Sequence, residues 1–335
     1  MWGNDVNTKP QKNIAVNILV FFILLVFCPE ILAEKNFRTP EVIQFANDLS
    51  EKSQYQRSEI LNVLNSANHR QIVIDNISKP AEKTLSWGEY RDIFLDKARL
   101  DNGKIFMKDN HLDLARVEAE FGIPAEIVTA IIGVETRYGK IMGSHPVLDS
   151  LATLAFYYPP RSSFFKEELK ELFLMTREEN LKIDDLKGSY AGAMGMGQFI
   201  PSSFRRYAVD FDLDGNRNLW EQPSDSIGSV GNYLYEHGWR RKELVAIEVD
   251  GDCGIFSIGD SIESAVFDKL HDCLPKSSDR KNIPSRMVMP LKLAVPGGYK
   301  YWAGFWNFSV LMKYNRSDLY AMAVVQLSEA FKKSD

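Results

Sequence analysis

The sequence has few of the residues on which metal-dependent and redox enzymes rely. Its 335 residues include 3 cysteines and 5 histidines, and it has no HExxH or CxxC motif, so a zinc or thiol redox enzyme is not favoured. The formal net charge is -5, and we expect no basic surface for nucleic acid. No internal repeat or heptad pattern is found. With 45% apolar and 25% charged residues, the composition is that of a globular protein with one large or two smaller domains.

Residues 1–33 have the pattern of a signal peptide. Two lysines precede an almost unbroken apolar run over residues 14–27, which is shorter than a standard membrane span. We expect cleavage after Ala33 and export to the periplasm. An uncleaved N-terminus that tethers the protein to a membrane is the second interpretation, and lipid attachment at Cys28 is the third.

The predicted mature chain retains two cysteines, Cys253 and Cys273. An even number of cysteines in an exported protein is compatible with a disulfide bond, which would contribute about 3 kcal/mol in the chain-entropy model. Two buried free thiols are the alternative, and the sequence does not decide between them.

The hydrophobic pattern predicts a mainly α protein with a small β part (α+β). Apolar residues recur at helical spacing over residues 34–110 and again over 111–243, which predicts an N-terminal helical region and a second helical block. Over residues 244–310 the texture changes to short β-type runs separated by glycine-rich turns, which predicts a small β subdomain. Residues 311–335 return to a helical pattern, and we expect this C-terminal helix to pack on the core.

Three runs carry the β prediction. They are rich in β-branched and aromatic residues and only four or five residues long, as half-buried strands are. They cover residues 245–249, 287–291 and 308–311.

One glutamate lies in the apolar stripe of a short predicted helix. Pro124 is typical of a helix start and Gly139 of a helix end. At 3.6 residues per turn, Glu135 shares one face with three apolar residues: Val128, Ile131 and Ile132. Partial burial disfavours a charged carboxyl group and raises its pKa, which suits a general acid. The alternative is a structural glutamate paired with Arg137 or Lys140.

Residues 210–221 match the calcium-loop signature D-x-D-x-D-G-x5-E. The predicted ligands are five side chains and the carbonyl group of Asn216; the five side chains belong to Asp210, Asp212, Asp214, Asn218 and Glu221. No second copy of the motif exists, so we expect Ca2+ to be structural rather than part of a paired sensor. A solvated acidic turn is the alternative.

The glycine-rich segment over residues 188–199 has a different pattern from a nucleotide loop. Its glycines do not follow GxGxxG, and no Lys-Ser/Thr pair comes after them, so a phosphate site is not favoured. Small residues allow the backbone to approach a bulky ligand closely, while Ser189 and Gln198 could hydrogen bond to a polar one. A close-packed helix crossing is the alternative.

Taken in order, these motifs resemble the lytic murein transglycosylase B family. The matching stretches include Gly133–Gly139, Gly192–Ser203 and Ala321–Val324, and shorter matches extend over nearly all of the predicted mature chain. The resemblance implies a lysozyme-like core within residues 111–243 that cleaves the β-1,4 bond between N-acetylmuramic acid and N-acetylglucosamine in peptidoglycan. It also implies that Glu135 is the catalytic residue and that the glycan strand is bound by Ser189, Gln198, Tyr233, Tyr314, Asn315 and Tyr320.

The resemblance further implies the reaction type. Most glycosidases use two carboxylates, whereas no second one accompanies Glu135 in the matched motifs. A single glutamate would protonate the leaving oxygen and then deprotonate the C6 hydroxyl of muramic acid, which closes a 1,6-anhydro ring. A hydrolytic muramidase on the same fold and an exported, non-catalytic glycan-binding protein are the alternatives. We expect a monomer whose partner is peptidoglycan, with no organic cofactor.

Overall fold

The computed structural model describes residues 36–79, 85–251 and 288–333. The predicted signal peptide, with its cleavage site and membrane tether, lies outside these residues. Cys253 and Cys273 lie outside them as well. In the described parts of the chain, no helix combines the length and the apolar character that crossing a bilayer requires.

The N-terminal part of the described chain is helical. Caps define several of the helix starts: Thr39 Oγ1 accepts a hydrogen bond from Val42 N at 3.4 Å, and Ser86 and Glu89 form a capping box. The helices are α1 (Pro40–Glu51), α2 (Arg57–Ser66), α3 (Gln71–Ile77), α4 (Trp87–Phe94) and α5 (Lys97–Asp109). Helix α4 packs on the C-terminal helix of the chain, which brings this region to the site described below.

The central block consists of six helices and a minimal two-stranded ladder. The helices are α6 (His111–Phe121), α7 (Ala125–Thr136), α8 (Val147–Tyr157), α9 (Ser162–Glu178), α10 (Pro201–Tyr207) and α11 (Pro223–Glu236). Strands β1 (His145–Pro146) and β2 (Lys187–Gly188) pair antiparallel. Helix α7 is buried on nearly every side, because α5, α6, α11 and the C-terminal helix all pack against it.

A three-stranded antiparallel sheet follows the helices. It contains β3 (Ala246–Val249), β4 (Met289–Val295) and β5 (Gly298–Gly304), with β5 in the middle. A tight turn joins β4 to β5, and its Gly297 has a φ of 84°, which glycine adopts without steric cost. Leu291 pairs with Trp302 across the ladder, and both are buried on the face that carries the core of the sheet.

The strand predicted over residues 308–311 is wrong. These residues belong to α12 (Trp306–Tyr314), and α13 (Asp318–Lys332) follows after a short turn. Phe308, Val310 and Leu311 are all buried within α12, and a short, continuous apolar run is compatible with either a buried strand or a buried helix. The predicted boundary at residue 310 consequently falls inside α12, while the predicted helix near the C-terminus corresponds to α13.

Candidate active site

Glu135 lies in the last turn of α7, and the chain reverses immediately after it. The helix ends at Thr136 rather than at the predicted Gly139, because Arg137, Tyr138 and Gly139 all adopt left-handed backbone conformations, with φ of 51°, 61° and 81°. Such a run is costly for non-glycine residues and persists only where surrounding contacts hold it. Glu135 itself is half-buried.

Tyr138 supplies the contacts that hold this turn. Its ring folds back under α7, and its hydroxyl donates a hydrogen bond of 2.9 Å to the carbonyl oxygen of Arg99. A Cβ atom at Gly133 would lie 2.6 Å from the Tyr138 hydroxyl oxygen, so only glycine fits there. The left-handed turn is therefore tied to the glycine two residues before Glu135.

Tyr320 reaches Glu135 from the C-terminal helix. Its hydroxyl donates a hydrogen bond of 2.7 Å to Glu135 Oε1, and its side chain is 2% exposed. Burial, followed by the charge of Glu135, raises the pKa of Tyr320 well above its ordinary value. The phenol therefore stays protonated and remains a donor to Glu135.

Tyr314 lies next to Tyr320 and joins it to the glycine-rich segment. The two rings are stacked, with centroids 6.4 Å apart and planes within 9° of each other. The Tyr314 hydroxyl donates to the carbonyl oxygen of Gly197 at 2.5 Å. Burial and the neighbouring Glu135 charge also raise the pKa of Tyr314 well above its ordinary value, so at neutral pH the phenol is protonated and remains a donor.

Tyr90 is a site residue that the sequence did not reveal. It lies on α4, is 3% exposed and is close enough to Tyr320 to contribute to the raised pKa of that phenol. In the sequence, Tyr90 is only one apolar member of an amphipathic helix. No signal short of the packed fold distinguishes it from an ordinary core aromatic residue.

Thr136 connects the Glu135 helix to the glycine-rich segment. Its hydroxyl lies 2.9 Å from the carbonyl oxygen of Met196 and accepts a hydrogen bond of 3.0 Å from the amide of Gly139. The amide of Met196 in turn donates to the carbonyl oxygen of Leu219 in the predicted calcium loop, at 2.8 Å. Thr136, the residue after Glu135, is therefore linked to that loop through Met196 by two hydrogen bonds.

Ser189 and Gln198 hold the glycine-rich segment in its folded form. Ser189 Oγ accepts hydrogen bonds from the amides of Ala191 and Ala193, at 3.2 and 3.1 Å. Gln198 Nε2 donates to the carbonyl oxygen of Met142 at 3.1 Å, and Gln198 itself has a φ of 51°. Both predicted glycan-binding residues thus make backbone hydrogen bonds that shape the surface beside Glu135.

The remaining predicted binding residues lie around α12. Tyr233 is 8% exposed, its hydroxyl donates to the carbonyl oxygen of Lys313 at 2.7 Å, and its ring is 4.8 Å from that of Tyr314. Asn315 lies in the turn between α12 and α13 and is half-buried; its side chain makes no hydrogen bond to another described residue. The structure therefore brings Tyr314 and Tyr320 next to Glu135, with Tyr233 packed against Tyr314 and Asn315 following Tyr314 in the chain.

The predicted calcium loop has the form of a cation site. One carboxylate oxygen from each of Asp210, Asp212 and Asp214 lies within 4.8 Å of the other two. The amide of Gly215 donates to Asp210 Oδ2 at 2.9 Å, with a φ of 96° at the glycine. Three carboxylates this close repel one another unless a cation lies between them, and hard oxygen ligands suit Ca2+. Glu221 lies outside this group.

Two of the other predicted calcium ligands shape the loop through hydrogen bonds. Asn218 Oδ1 accepts from the amides of Trp220 and Glu221, both at 3.1 Å. The amide of Asn216 donates to Asp214 Oδ1 at 2.8 Å. These bonds close the second half of the loop.

Asp225 fastens the loop to α11, and the sequence did not single it out. Its carboxylate is buried and accepts hydrogen bonds from the amides of Phe211 at 2.6 Å and Asn218 at 2.7 Å. Burial raises the pKa of Asp225, although these hydrogen bonds act in the opposite direction. Arg217, at the position where a calcium loop usually has an aliphatic residue, forms an ion pair with Glu179 just after α9.

Comparisons with known proteins identify the family of this chain. Residues 38–329 match the family model described as the transglycosylase SLT domain. The chain is 38% identical over 300 residues to the membrane-bound lytic murein transglycosylase B of Escherichia coli K12, covering 87% of this chain and 82% of that protein.

Solved structures show the same fold. The catenated lytic transglycosylase SltB1 of Pseudomonas aeruginosa is 38% identical with a TM-score of 0.81, and the match covers 88% of this chain and 98% of SltB1. The E. coli lytic transglycosylase Slt35 in complex with calcium is 37% identical with a TM-score of 0.79, covering 88% and 93%. SltB3 of P. aeruginosa in complex with NAG-NAM-pentapeptide is 27% identical with a TM-score of 0.71, covering 87% and 79%.

Proposed function

This chain belongs to the transglycosylase SLT domain family, and we propose that it is a peptidoglycan lytic transglycosylase in which Glu135 carries out both proton transfers. The observation that carries the assignment of Glu135 is its place in the fold. It is a half-buried carboxyl group in the last turn of a largely buried helix, and it accepts a hydrogen bond from a phenol that stays protonated.

In the first step, Glu135 acts as a general acid. Its carboxyl group donates a proton to the oxygen that bridges N-acetylmuramic acid and N-acetylglucosamine, and the bond from that oxygen to C1 of muramic acid breaks. The hydrogen bond from Tyr320 engages Oε1 of this carboxyl group. Tyr320 is thus a positioning residue, which fixes the rotamer of Glu135 while the proton moves.

In the second step, the same carboxylate acts as a base. It takes the proton from the C6 hydroxyl of muramic acid, whose oxygen attacks C1 of the same sugar and closes the 1,6-anhydro ring. The attack is intramolecular, so it gains the rate advantage of a nucleophile that is already in place and needs no second carboxylate to activate water. Atoms and charge balance, because Glu135 ends the cycle protonated, as it began.

We further propose that Ser189, Gln198, Tyr233, Tyr314 and Asn315 form or support the glycan-binding surface beside Glu135. The side-chain amide of Asn315 has no hydrogen-bonding partner among the described residues, and Asn315 lies between the two helices that carry Tyr314 and Tyr320. An amide of this kind can bond to a sugar hydroxyl or N-acetyl group. Ser189, Gln198 and Tyr233 act through the backbone groups that they hold in place.

We propose that the loop over residues 210–221 binds a structural Ca2+ ion through Asp210, Asp212 and Asp214. The acidic cluster carries this proposal, and the related Slt35 has been solved with calcium. Bound Ca2+ would neutralise the mutual repulsion of the carboxylates and stabilise the loop. The protein's place of action, we propose, is the periplasm, either free or held at the membrane by its N-terminus, as the E. coli relative is described as membrane-bound.

The proposed function is tested by the products of digestion. Wild-type protein should release muropeptides with 1,6-anhydro-muramic ends, which are lighter by one water than hydrolysed ends, and digestion in heavy-oxygen water should leave those ends unlabelled. Labelled reducing ends would instead identify a hydrolytic muramidase. The absence of any cleavage by a folded protein that still binds glycan would identify a binding protein.

Glu135→Gln tests the assigned residue. The amide keeps the shape of the side chain and can still accept the hydrogen bond from Tyr320, but it cannot donate and recover a proton, so cleavage should fall by orders of magnitude. Glu126→Gln is the matched control, because Glu126 lies in the first turn of the same helix. Full activity of the Glu135→Gln protein would remove this residue from the mechanism.

A further inference from the structure

A cavity of about 650 Å³ lies beside the calcium loop, apart from Glu135. Its walls come from the loop, from the end of α9 and from the residues just before and within β2. This volume is within the range of small-molecule and peptide pockets. None of the residues assigned to catalysis or glycan binding above lines it.

Met142 and Gly143 lie between the cavity and the predicted glycan-binding residue Gln198. Met142 lines the cavity, and its carbonyl oxygen accepts the hydrogen bond from Gln198 on the other side. Gly143 follows with a φ of 92°, and a Cβ atom there would lie 2.1 Å from the carbonyl oxygen of Gly188. The backbone at this wall is therefore packed too closely for a side chain, and Gln198, a predicted glycan-binding residue, is hydrogen bonded to it.

The floor of the cavity is apolar and its cationic wall residue is already paired. Leu186 and Trp220 contribute apolar surface, with the Trp220 ring packed against Phe204 at a centroid distance of 5.8 Å. Arg217 is held by Glu179 through an ion pair. The part of the cavity formed by Leu186, Trp220 and the Arg217–Glu179 ion pair therefore offers apolar contact and no unpaired charge.

Three charged side chains that form no ion pair with another described residue line the cavity: Asp185, Lys187 and the predicted calcium ligand Glu221. Asp185 and Lys187 line the cavity on either side of Leu186, both are exposed, and neither forms an ion pair with another described residue. Leu186 has extended backbone angles, φ of -73° and ψ of 124°, so the residues before and after it lie on the same side of the chain. The rim thus presents one carboxylate and one ammonium group side by side over an apolar floor.

We propose that this cavity binds the peptide stem that peptidoglycan carries on its muramic acid residues. Such a stem has free carboxylates, a free amine and short aliphatic side chains. Lys187 would pair with a stem carboxylate and Asp185 with the stem amine, while the aliphatic parts rest on Leu186 and Trp220. A strand stripped of its stems keeps only the lactyl carboxylate of each muramic acid, so it offers no amine to Asp185 and no aliphatic side chains to the cavity.

This inference rests on the proposed function, and one relative has been solved with a muropeptide that bears a pentapeptide. What it adds is the place of the stem and the residues that recognise it. The enzyme would then bind strands that carry peptide more tightly than strands that have been stripped of it. The cleavage reaction itself would be the same for both.

The test compares two ligands on the full chain carrying Glu135→Gln, so that neither is cleaved. Dissociation constants are measured by isothermal titration calorimetry for a muramic acid-containing tetrasaccharide with its peptide stems and for the same tetrasaccharide in which each stem is replaced by an uncharged N-methylamide on the lactyl carboxyl group. The ratio of the two constants isolates the contribution of the stem. In the parent protein, the ligand with stems should bind about tenfold more tightly, and the gain should shrink as salt is added.

Charge reversal at the rim should abolish that gain. Lys187→Glu and Asp185→Lys should each bring the ratio close to one, while Lys187→Arg should keep it. Lys182→Glu and Asp184→Lys are the matched controls, since both residues are exposed on the same segment but do not line the cavity; neither should change the ratio.

Each other outcome counts against a defined claim. An unchanged ratio in both rim variants, or an equal loss in the controls, would overturn the stem site while leaving the proposed function intact. A parent protein that binds the N-methylamide tetrasaccharide but shows no gain from the stems would overturn the stem site as well. Failure of the parent protein to bind either ligand would overturn the proposed function together with the inference.

Discussion

Tyr320 donates a hydrogen bond of 2.7 Å to Glu135, although 185 residues separate them in the chain. One lies at the end of a central helix and the other in the first turn of the C-terminal helix α13. Helix α13 packs directly against α7, so the two helices bring donor and acceptor together. The orientation of the proposed catalytic carboxyl group therefore depends on the last helix of the chain.

Tyr320→Phe should lower kcat strongly with little effect on folding. The ring still fills its buried position, but Glu135 loses a donor, and hydrogen bonds to charged groups contribute about 1.5–3 kcal/mol, which corresponds to about a 10- to 100-fold change in rate. Steady-state turnover of purified peptidoglycan measures the effect. Tyr235→Phe is the control, because Tyr235 is 51% exposed. A Tyr320→Phe enzyme with wild-type kcat would show that this bond has no role in positioning Glu135.

Thr136→Val should destabilise the protein and lower kcat. Thr136→Ser should have a smaller effect on both, because serine keeps the hydroxyl group. Valine keeps the shape of threonine but leaves the carbonyl oxygen of Met196 and the amide of Gly139 without this partner. Buried groups left unpaired cost about 1–3 kcal/mol. Urea unfolding and kcat should be measured together. If serine restores stability but not kcat, the hydroxyl does not position Glu135.

Calcium should raise the melting temperature of protein that has been treated with a chelator. Binding to the folded state alone stabilises it by about 2.7 kcal/mol when the free ion is at 100 times its Kd. Asp214→Ala removes one of the three clustered carboxylates and should abolish most of the shift, whereas Asp184→Ala, outside the loop, should not. Identical melting curves with and without calcium would refute the site. We expect kcat at a temperature well below melting to change little, because Glu135 is not a ligand.

Glu168 should make stability depend on pH. Its buried carboxylate accepts hydrogen bonds from the amide and hydroxyl of Ser202 at the start of α10, at 3.0 and 2.7 Å. Burial nevertheless raises its pKa above the ordinary value of 4.5, so the folded protein holds this proton more tightly than the unfolded chain does. The free energy of unfolding should therefore fall as the pH rises from about 4.5 through the folded pKa.

Glu168→Gln should remove that part of the pH dependence, because the amide does not titrate and can still accept a hydrogen bond from Ser202. Chemical unfolding at a series of pH values measures it. Glu236→Gln is the control, since Glu236 is exposed and is not among the charges that shift the pKa of Glu168. Equal slopes for Glu168→Gln and wild type across this interval would show that Glu168 titrates alike in the folded and unfolded states.

The parts of the fold that depend on local sequence patterns, such as apolar spacing and helix caps, were predictable. The helical blocks follow from apolar spacing and caps such as Thr39 and Ser86. The run over residues 308–311 was assigned wrongly to a strand, because four consecutive residues of apolar and β-branched character do not distinguish a buried helix from a buried strand. Tertiary contacts decided in favour of helix α12.

The sequence by itself determined the parts of the site whose residues are neighbours in the chain. Asp210, Asp212 and Asp214 converge because a short loop with a glycine turn brings them together, and Glu135 shares a helix face with apolar residues through the helical repeat alone. Only the tertiary structure decided which side chains meet Glu135 and the loop. The periodicity of apolar residues indicates that Tyr90, Tyr320 and Asp225 are buried or helical. It does not indicate what they contact, because a contact between distant segments depends on how whole helices pack. One helix therefore made Glu135 a candidate general acid, with a structural glutamate as the alternative, while its environment required the assembled fold.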